Sequence, residues 1–503
     1  MRAQIRLTTL RWTVLVGLVP GLGAPIVGCA VGPNFHPPQA PSVTRYPATP
    51  VADETASTDA AAGQAQRFVG SRDVPAEWWT LFQCPALDAL VRQALRDSPT
   101  LGQAQARLVQ AQQELEARQG ATRYPKLDAG AAINSVGVQS DAIKSETLAA
   151  DVPITLSTAT VSVSYTLDLF GRNRRELEGL RAAVEYERFE LEAARLMLAG
   201  NVVTAAIEAV SLREQIDATE AAVALGTRQL EIVKRLEEIG AVPKLDVVMQ
   251  SAELARTRAA VPALRDRLER TRHRLAVYLG QPPAAGQLPD LRFADLRLPT
   301  ELPLSLPSDL ARQRPDIRAA EALLHEASAR VGVATANLYP RITLSGTGGA
   351  LAVTPLLSGG AGFALLGASL AQPLFHGGEL RAQKRSAVAA FDQAGAAYRE
   401  VVLTGLQNVA DTLVALDADA RTLRERAEAA KLARTAYDIT SKRYEAGGVS
   451  LLALLEAQRQ QITASVDEAR AVGDRFADSA ALFQALGGGW WTAEASRSAS
   501  PQH

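Results

Sequence analysis

Cysteine is scarce: Cys29 and Cys84 are the only two in 503 residues, so no disulfide framework supplies stability. An excess of either charge is missing as well. With 53 basic and 54 acidic residues the formal net charge is -1, which leaves no global field to draw nucleic acid or an acidic surface. Aromatic residues amount to 5%, too few for a sandwich core or an aromatic-lined pocket. The five histidines, at 36, 273, 325, 376 and 503, lack metal spacing, and His325-Glu326 runs on into Ala327-Ser328-Ala329 instead of a zinc-protease pattern. Gly346-Thr347-Gly348-Gly349 and Gly359-Gly360-Ala361-Gly362 have neither the lysine nor the strand-to-helix setting of a nucleotide loop. No nucleophile, base and orienting acid fall together. The chain therefore reads as a non-enzyme, with no metal and no dissociable cofactor.

What is present begins at the N-terminus. Arg2, Arg6 and Arg11 precede an uncharged apolar run from Trp12 to Val27, the pattern of a secretion signal. The run closes on Ile26-Val27-Gly28-Cys29, which resembles the signal-peptidase box of bacterial lipoproteins. That resemblance implies a covalent lipid on the Cys29 thiol and a mature chain starting there. Several acyl chains at roughly 0.8 kcal/mol per buried methylene would anchor it firmly. No second stretch of about 18 apolar residues is read downstream, so further membrane contact must use strands. Cys84 then reads as a buried free thiol.

The rest divides into two copies of one plan. Leu95-Arg96-Asp97-Ser98-Pro99 opens a helical stretch ending at Tyr124-Pro125, and Arg312-Gln313-Arg314-Pro315-Asp316 opens another ending at Tyr339-Pro340. Leu169-Phe170-Gly171-Arg172 and Leu374-Phe375-His376-Gly377 each precede a very long helix, and glycine returns at Gly240 and at Gly447-Gly448. The expected divisions are a signal over 1–28, an extended lipid-bearing arm over 29–75, a first repeat over 76–280, a proline-rich linker over 281–307, a second repeat over 308–487 and a tail over 488–503. Each repeat reads helix, two strands, long helix, turn, long helix. Ile216, Val223, Leu230 and Leu225, Ile232, Ile239 form two seven-residue stripes. Two stripes suit a helix with neighbours on both sides, in a cylinder or in an ordinary bundle.

The strands separate those alternatives. Val161, Val163, Tyr165, Leu167 and Leu169 alternate with Ser162, Ser164, Thr166 and Asp168, and Leu127, Ala129, Ala131 and Ile133 alternate with Asp128, Gly130, Ala132 and Asn134. Ile342 and Leu344 alternate with Arg341, Thr343 and Ser345, and a fourth, weaker pattern spans Phe363 to Leu370. A membrane barrel must close and takes at least about eight strands, so four strands in a membrane require several copies of the chain.

At this point the chain resembles the outer membrane factor family, the TolC-like ducts, and within it the lipidated NodT type. The resemblance rests on Pro307-Ser308-Asp309-Leu310, on Arg314-Pro315-Asp316-Ile317-Arg318-Ala319-Ala320-Glu321 and on Tyr339-Pro340. Trp78-Trp79 with Phe82, Leu167-Asp168-Leu169-Phe170-Gly171 and Ala485-Leu486-Gly487-Gly488-Gly489-Trp490 carry it further. It implies a mostly helical chain with four strands, trimerising into a twelve-stranded outer-membrane barrel above a periplasmic α-helical tunnel. The implied role is passive conduction of small molecules. A periplasmic adaptor and an inner-membrane pump of the RND type are the implied partners, besides outer-membrane lipid. A type I protein-secretion duct and a lipid-anchored periplasmic coiled-coil scaffold stand as alternatives.

The same resemblance places the adaptor-facing turns at Gly240, Val242, Leu245 and Asp246 and at Gly447, Gly448, Val449 and Leu452. Leu245 and Leu452 are expected to pack the hairpin ends, and Tyr437, Asp246 and Val449 are the constriction candidates. Relatives often carry an aspartate just after the second glycine turn; here Val449-Ser450 stands there, which implies a more apolar constriction. Asp246 either supplies the acid instead or caps a solvent-facing helix start.

Overall fold

The computed structural model describes residues 30–49, 52–70, 72–136, 154–285, 289–354 and 360–492. The lipobox residues Ile26, Val27, Gly28 and Cys29 lie outside the described residues. Four helices dominate: α3 (Arg172–Glu238), α4 (Lys244–Tyr278), α7 (Glu379–Glu445) and α8 (Leu451–Ala485). Their lengths are 67, 35, 67 and 35 residues, and both ends of α7 and α8 fall 207 positions after those of α3 and α4. The duplication inferred from scattered landmarks is thus kept to the residue in the long helices. At about 1.5 Å per residue each 67-residue helix extends about 100 Å.

Shorter helices come first in each repeat: α1 (Pro85–Asp97) and α2 (Pro99–Arg123), then α5 (Pro307–Gln313) and α6 (Pro315–Ala336). All four start on proline, whose fixed φ suits a first turn and whose missing N–H costs nothing there. Between α2 and α3 lie β2 (Lys126–Val136) and β3 (Ile154–Leu167), and between α6 and α7 lie β5 (Arg341–Thr354) and β6 (Ala361–Ala371). They form one antiparallel sheet in the order β2-β3-β5-β6. The register sets Lys126 beside Ser164 and Ser164 beside Ser345 on one face, and Leu127 beside Val163 on the other. Near the helices the alternation read from the sequence is a division into a polar and an apolar face, while further along β6 Phe363 and Leu365 stand on the polar side.

Helix contacts follow one lateral order. Next to the sheet, α2 packs on α3, α3 on α6 and α6 on α7; further away, α4 packs on α3, α3 on α8 and α8 on α7. The protomer is an open ribbon with α2, α4 and β2 along one edge and α7 and β6 along the other.

The main core lies where the two helical tiers meet. Trp78 stacks on Phe483 at 5.5 Å and Phe293 on Phe476 at 5.8 Å, with Phe82, Ile207 and Leu482 buried around them. The free thiol of Cys84 is buried in the same cluster.

Several features depart from the sequence reading. The arm does not merely run alongside: β1 (Arg67–Gly70) pairs in parallel with β4 (Glu301–Leu304), inside the segment read as linker. The guanidinium of Arg475, fully buried in α8, donates to the Thr55 hydroxyl at 3.2 Å and to the Gln64 carbonyl. Arg175, at the start of α3, is 4% exposed. It donates to the carbonyls of Val31 at 3.2 Å and Gly32 at 3.3 Å, to Asn34 Oδ1 at 2.7 Å and to Glu178 at 2.8 Å. Both 67-residue helices also contain an 18-residue window apolar enough to cross a membrane, which the sequence reading missed. In α3 half of that window is buried within the protomer. In α7 28% of it is.

Candidate functional site

The two hairpin tips are built alike. At the end of α3, Gly240 has φ +73° and its N–H donates to the Glu237 carbonyl, while Ala241 N–H reaches back to Leu236 at 2.8 Å. At the end of α7, Gly447 has φ +71°, bonds to Tyr444, and is followed by Gly448 N–H reaching back to Arg443 at 2.8 Å. This paired bonding caps the last carbonyls and needs the left-handed conformation that only glycine adopts cheaply. The following helices start differently. Asp246 lies in the first turn of α4, where an acid suits the helix dipole, and the Ser450 hydroxyl caps α8 by accepting from Ala453 N–H at 3.4 Å.

The tips are joined by an apolar cluster of Val233, Tyr437, Leu451, Leu454 and Leu455, with Val242 and Tyr444 packed against it. Tyr437 is buried, and burial raises its phenol pKa. Its hydroxyl accepts from the Gln229 side chain, whose own carbonyl oxygen accepts from Gln250 at 3.4 Å. Arg459 on α8 reaches Glu253 on α4 at 3.1 Å. Burial, then the charge of Asp246, raises the pKa of Tyr444.

The structure thus brings Tyr437, Val242, Asp246 and the glycine turns into one tip. Leu245 and Leu452 do not pack there: they are 63% and 64% exposed, because each helix starts with that position turned outward. Val449 is half-buried beside the second turn. Gln229, Gln250 and Arg459 were not read from the sequence. The signal was a glutamine standing where its helix faces a neighbour, as Gln229 and Gln250 do.

At the opposite end, the four strands leave β2 and β6 as free edges. Leu365, Leu366 and Leu370 of β6 are exposed, as are Leu403, Val414, Leu432 and Ile439 along α7. These apolar side chains stand among charged and polar ones on β6 and α7, and are left exposed by the protomer.

Comparison with known proteins decides what this ribbon is. The family model for outer membrane efflux proteins matches residues 90–281 and 306–488. The chain belongs to the outer membrane efflux protein family. It is 33% identical to the pyoverdine export outer membrane protein OpmQ of Pseudomonas aeruginosa over 82% of this chain and 87% of that one. It is 28% identical to the probable efflux pump outer membrane protein TtgC of Pseudomonas putida, over 94% and 96%. Its fold superposes on the outer-membrane channel OprN with a TM-score of 0.79 and 30% identity, covering 92% of this chain and all of that one. The outer membrane protein VceC of Vibrio cholerae gives 0.74 and 27%, covering 83% and 100%. This efflux channel is therefore the outer-membrane component of a tripartite efflux system, with its strands in the membrane and its helices forming a tunnel across the periplasm.

Proposed function

We propose that three copies of this efflux channel join edge to edge into one duct, β6 and α7 of each meeting β2, α2 and α4 of the next. The observation that carries this is the ribbon itself. Its sheet and both helical tiers end on the same two sides, and a head-to-tail contact of unlike edges closes a ring. Twelve strands then satisfy every backbone group in the membrane, which four cannot.

The cargo is small molecules such as drugs and toxic compounds, in keeping with the pyoverdine export named for OpmQ and the efflux named for TtgC. A periplasmic adaptor meets the glycine turns at Gly240 and Gly447, and an RND-type pump supplies the energy. The exposed Leu245 and Leu452 are available to that adaptor instead of packing the tip. The closed state is the contact of the two tips through Tyr437 and Gln229, with Asp246 and Val449 at the constriction. A covalent lipid on Cys29 tethers the arm to the membrane, and the channel only conducts. Electron microscopy of detergent-extracted protein, without imposed symmetry, should show a hollow three-fold cylinder longer than about 100 Å. Solid single-chain rods would sink this reading.

A further inference from the structure

Where the sheet meets the helices, a cleft of about 320 Å³ opens on the polar face, between α2, the first turn of α3 and the strand ends. Arg118, Lys126, Arg172 and Arg341 line it, together with hydroxyls such as Thr166 and Thr343, which lie 3.2 Å apart. Charge is distributed unevenly over this sheet. Its four strands contain Lys126, Asp128 and Arg341 and no other charged residue. All three stand at the helix end, with Asp128 one step beyond Lys126 on the same face, beside Ser162.

Local structure explains some of the cations here and leaves others without a reason. Arg118 pairs with Glu176, Arg174 lies 3.6 Å from Asp168, and Arg175 holds the arm. Among the described residues Lys126, Arg172 and Arg341 have no ion pair. Arg172 is the first residue of a 67-residue helix whose first turn has no acid. Asp168 caps that helix end by accepting from the N–H groups of Asn173 and Arg174 at 3.0 Å each, which leaves the Arg172 guanidinium without a carboxylate of its own. The Nε atoms of Arg118 and Arg172 are also buried without a hydrogen-bond partner. Three cations without carboxylate partners, beside two unmet Nε donors, break local rules in the way a binding site does. Guanidinium groups suit planar or tetrahedral oxyanions, which accept paired N–H bonds.

We infer that this cleft is an anion-binding site facing the duct interior, which takes carboxylate- or phosphate-bearing cargo at the entrance to the membrane-spanning part. This rests on the conduit reading, since the polar face of a membrane barrel points inward and the apolar face meets lipid. Three clefts then form one cationic collar. Lys126 and Arg341 are solvent-exposed, so the collar holds an anion weakly enough to release it onward.

The test uses the full-length channel and a variant combining Lys126→Gln, Arg172→Gln and Arg341→Gln, each in planar phosphatidylcholine bilayers with citrate as the probe. Citrate should reduce the wild-type current, and the variant should conduct but need at least about tenfold more citrate for equal block, a difference of about 1.4 kcal/mol. Equal block in two conducting proteins would overturn the site. So would unchanged block together with loss of co-purified phosphatidylglycerol from the variant, seen by native mass spectrometry, which would assign the cleft to lipid headgroups. A wild-type protein without any conductance would instead defeat the conduit reading, and this inference with it.

Discussion

At the scale of single residues, the buried charges serve the arm more than the tunnel. Asp419 lies among Asp478, Asp474 and the buried Arg475, and burial, then the hydrogen bond and charge of Asp478, push its pKa to about 7. Burial also lowers the pKa of Arg475. A carboxyl whose folded pKa is raised contributes stability that is complete below its unfolded value near 4. That stability is lost as pH rises through about 7. Thermal unfolding should therefore occur at a higher temperature at pH 5 than at pH 8, and Asp419→Asn should narrow the gap. Arg175 makes a second prediction. Arg175→Ala removes four hydrogen bonds, three of them to the arm. Losing a buried charged partner costs on the order of 3 kcal/mol. Limited proteolysis should then cut within residues 30–49 at least tenfold faster, and an unchanged rate would show that the strand pairing at Arg67–Gly70 holds the arm alone.

At the scale of elements, the proposed closure of the tunnel rests on the hairpins. Gly240 and Gly447 both adopt positive φ, and a branched side chain there costs about 1–2 kcal/mol. Gly240→Val with Gly447→Val should lower export, scored as drug susceptibility of cells, while the channel still fractionates with the outer membrane. Normal export would show that tip geometry does not limit transport. Tyr437→Phe leaves the Gln229 amide unpaired in a buried site, at a cost of about 1–3 kcal/mol. Single-channel recordings should then show longer or more frequent openings. The elements themselves were legible. Helices free of proline for 67 residues and strands alternating Val161, Val163 against Ser162, Ser164 are local patterns, and local sterics sets them. The pairing of β1 with β4 was not legible, because four residues hold too little of a period to declare a strand.

At the scale of the whole molecule, the apolar edge of α7 and β6 calls for a partner, and assembly should depend on it. Leu432→Asp with Ile439→Asp places charge on two α7 positions that are 57% and 53% exposed. Native mass spectrometry should then find monomers where the unaltered chain gives trimers. If trimers persist, α7 is not the joint and the edge order must be redrawn. The second stripe of α3 teaches the same lesson: Ile232 and Ile239 are exposed although their periodicity promised burial.

The sequence by itself determined the duplication, the presence of the long helices, the alternation of the strands and the glycine turns. Each depends on short-range sterics or on a repeating pattern a few residues long, which the order of residues carries directly. Tertiary structure alone decided that Arg175 and Arg475 turn inward to hold the arm and that Gln229 meets Tyr437. It alone decided that Leu245 and Leu452 face out, and that unpaired cations converge beside Arg172. Periodicity gives the face on which a side chain stands. Which partner waits there depends on segments distant in the chain, through packing that no local pattern records.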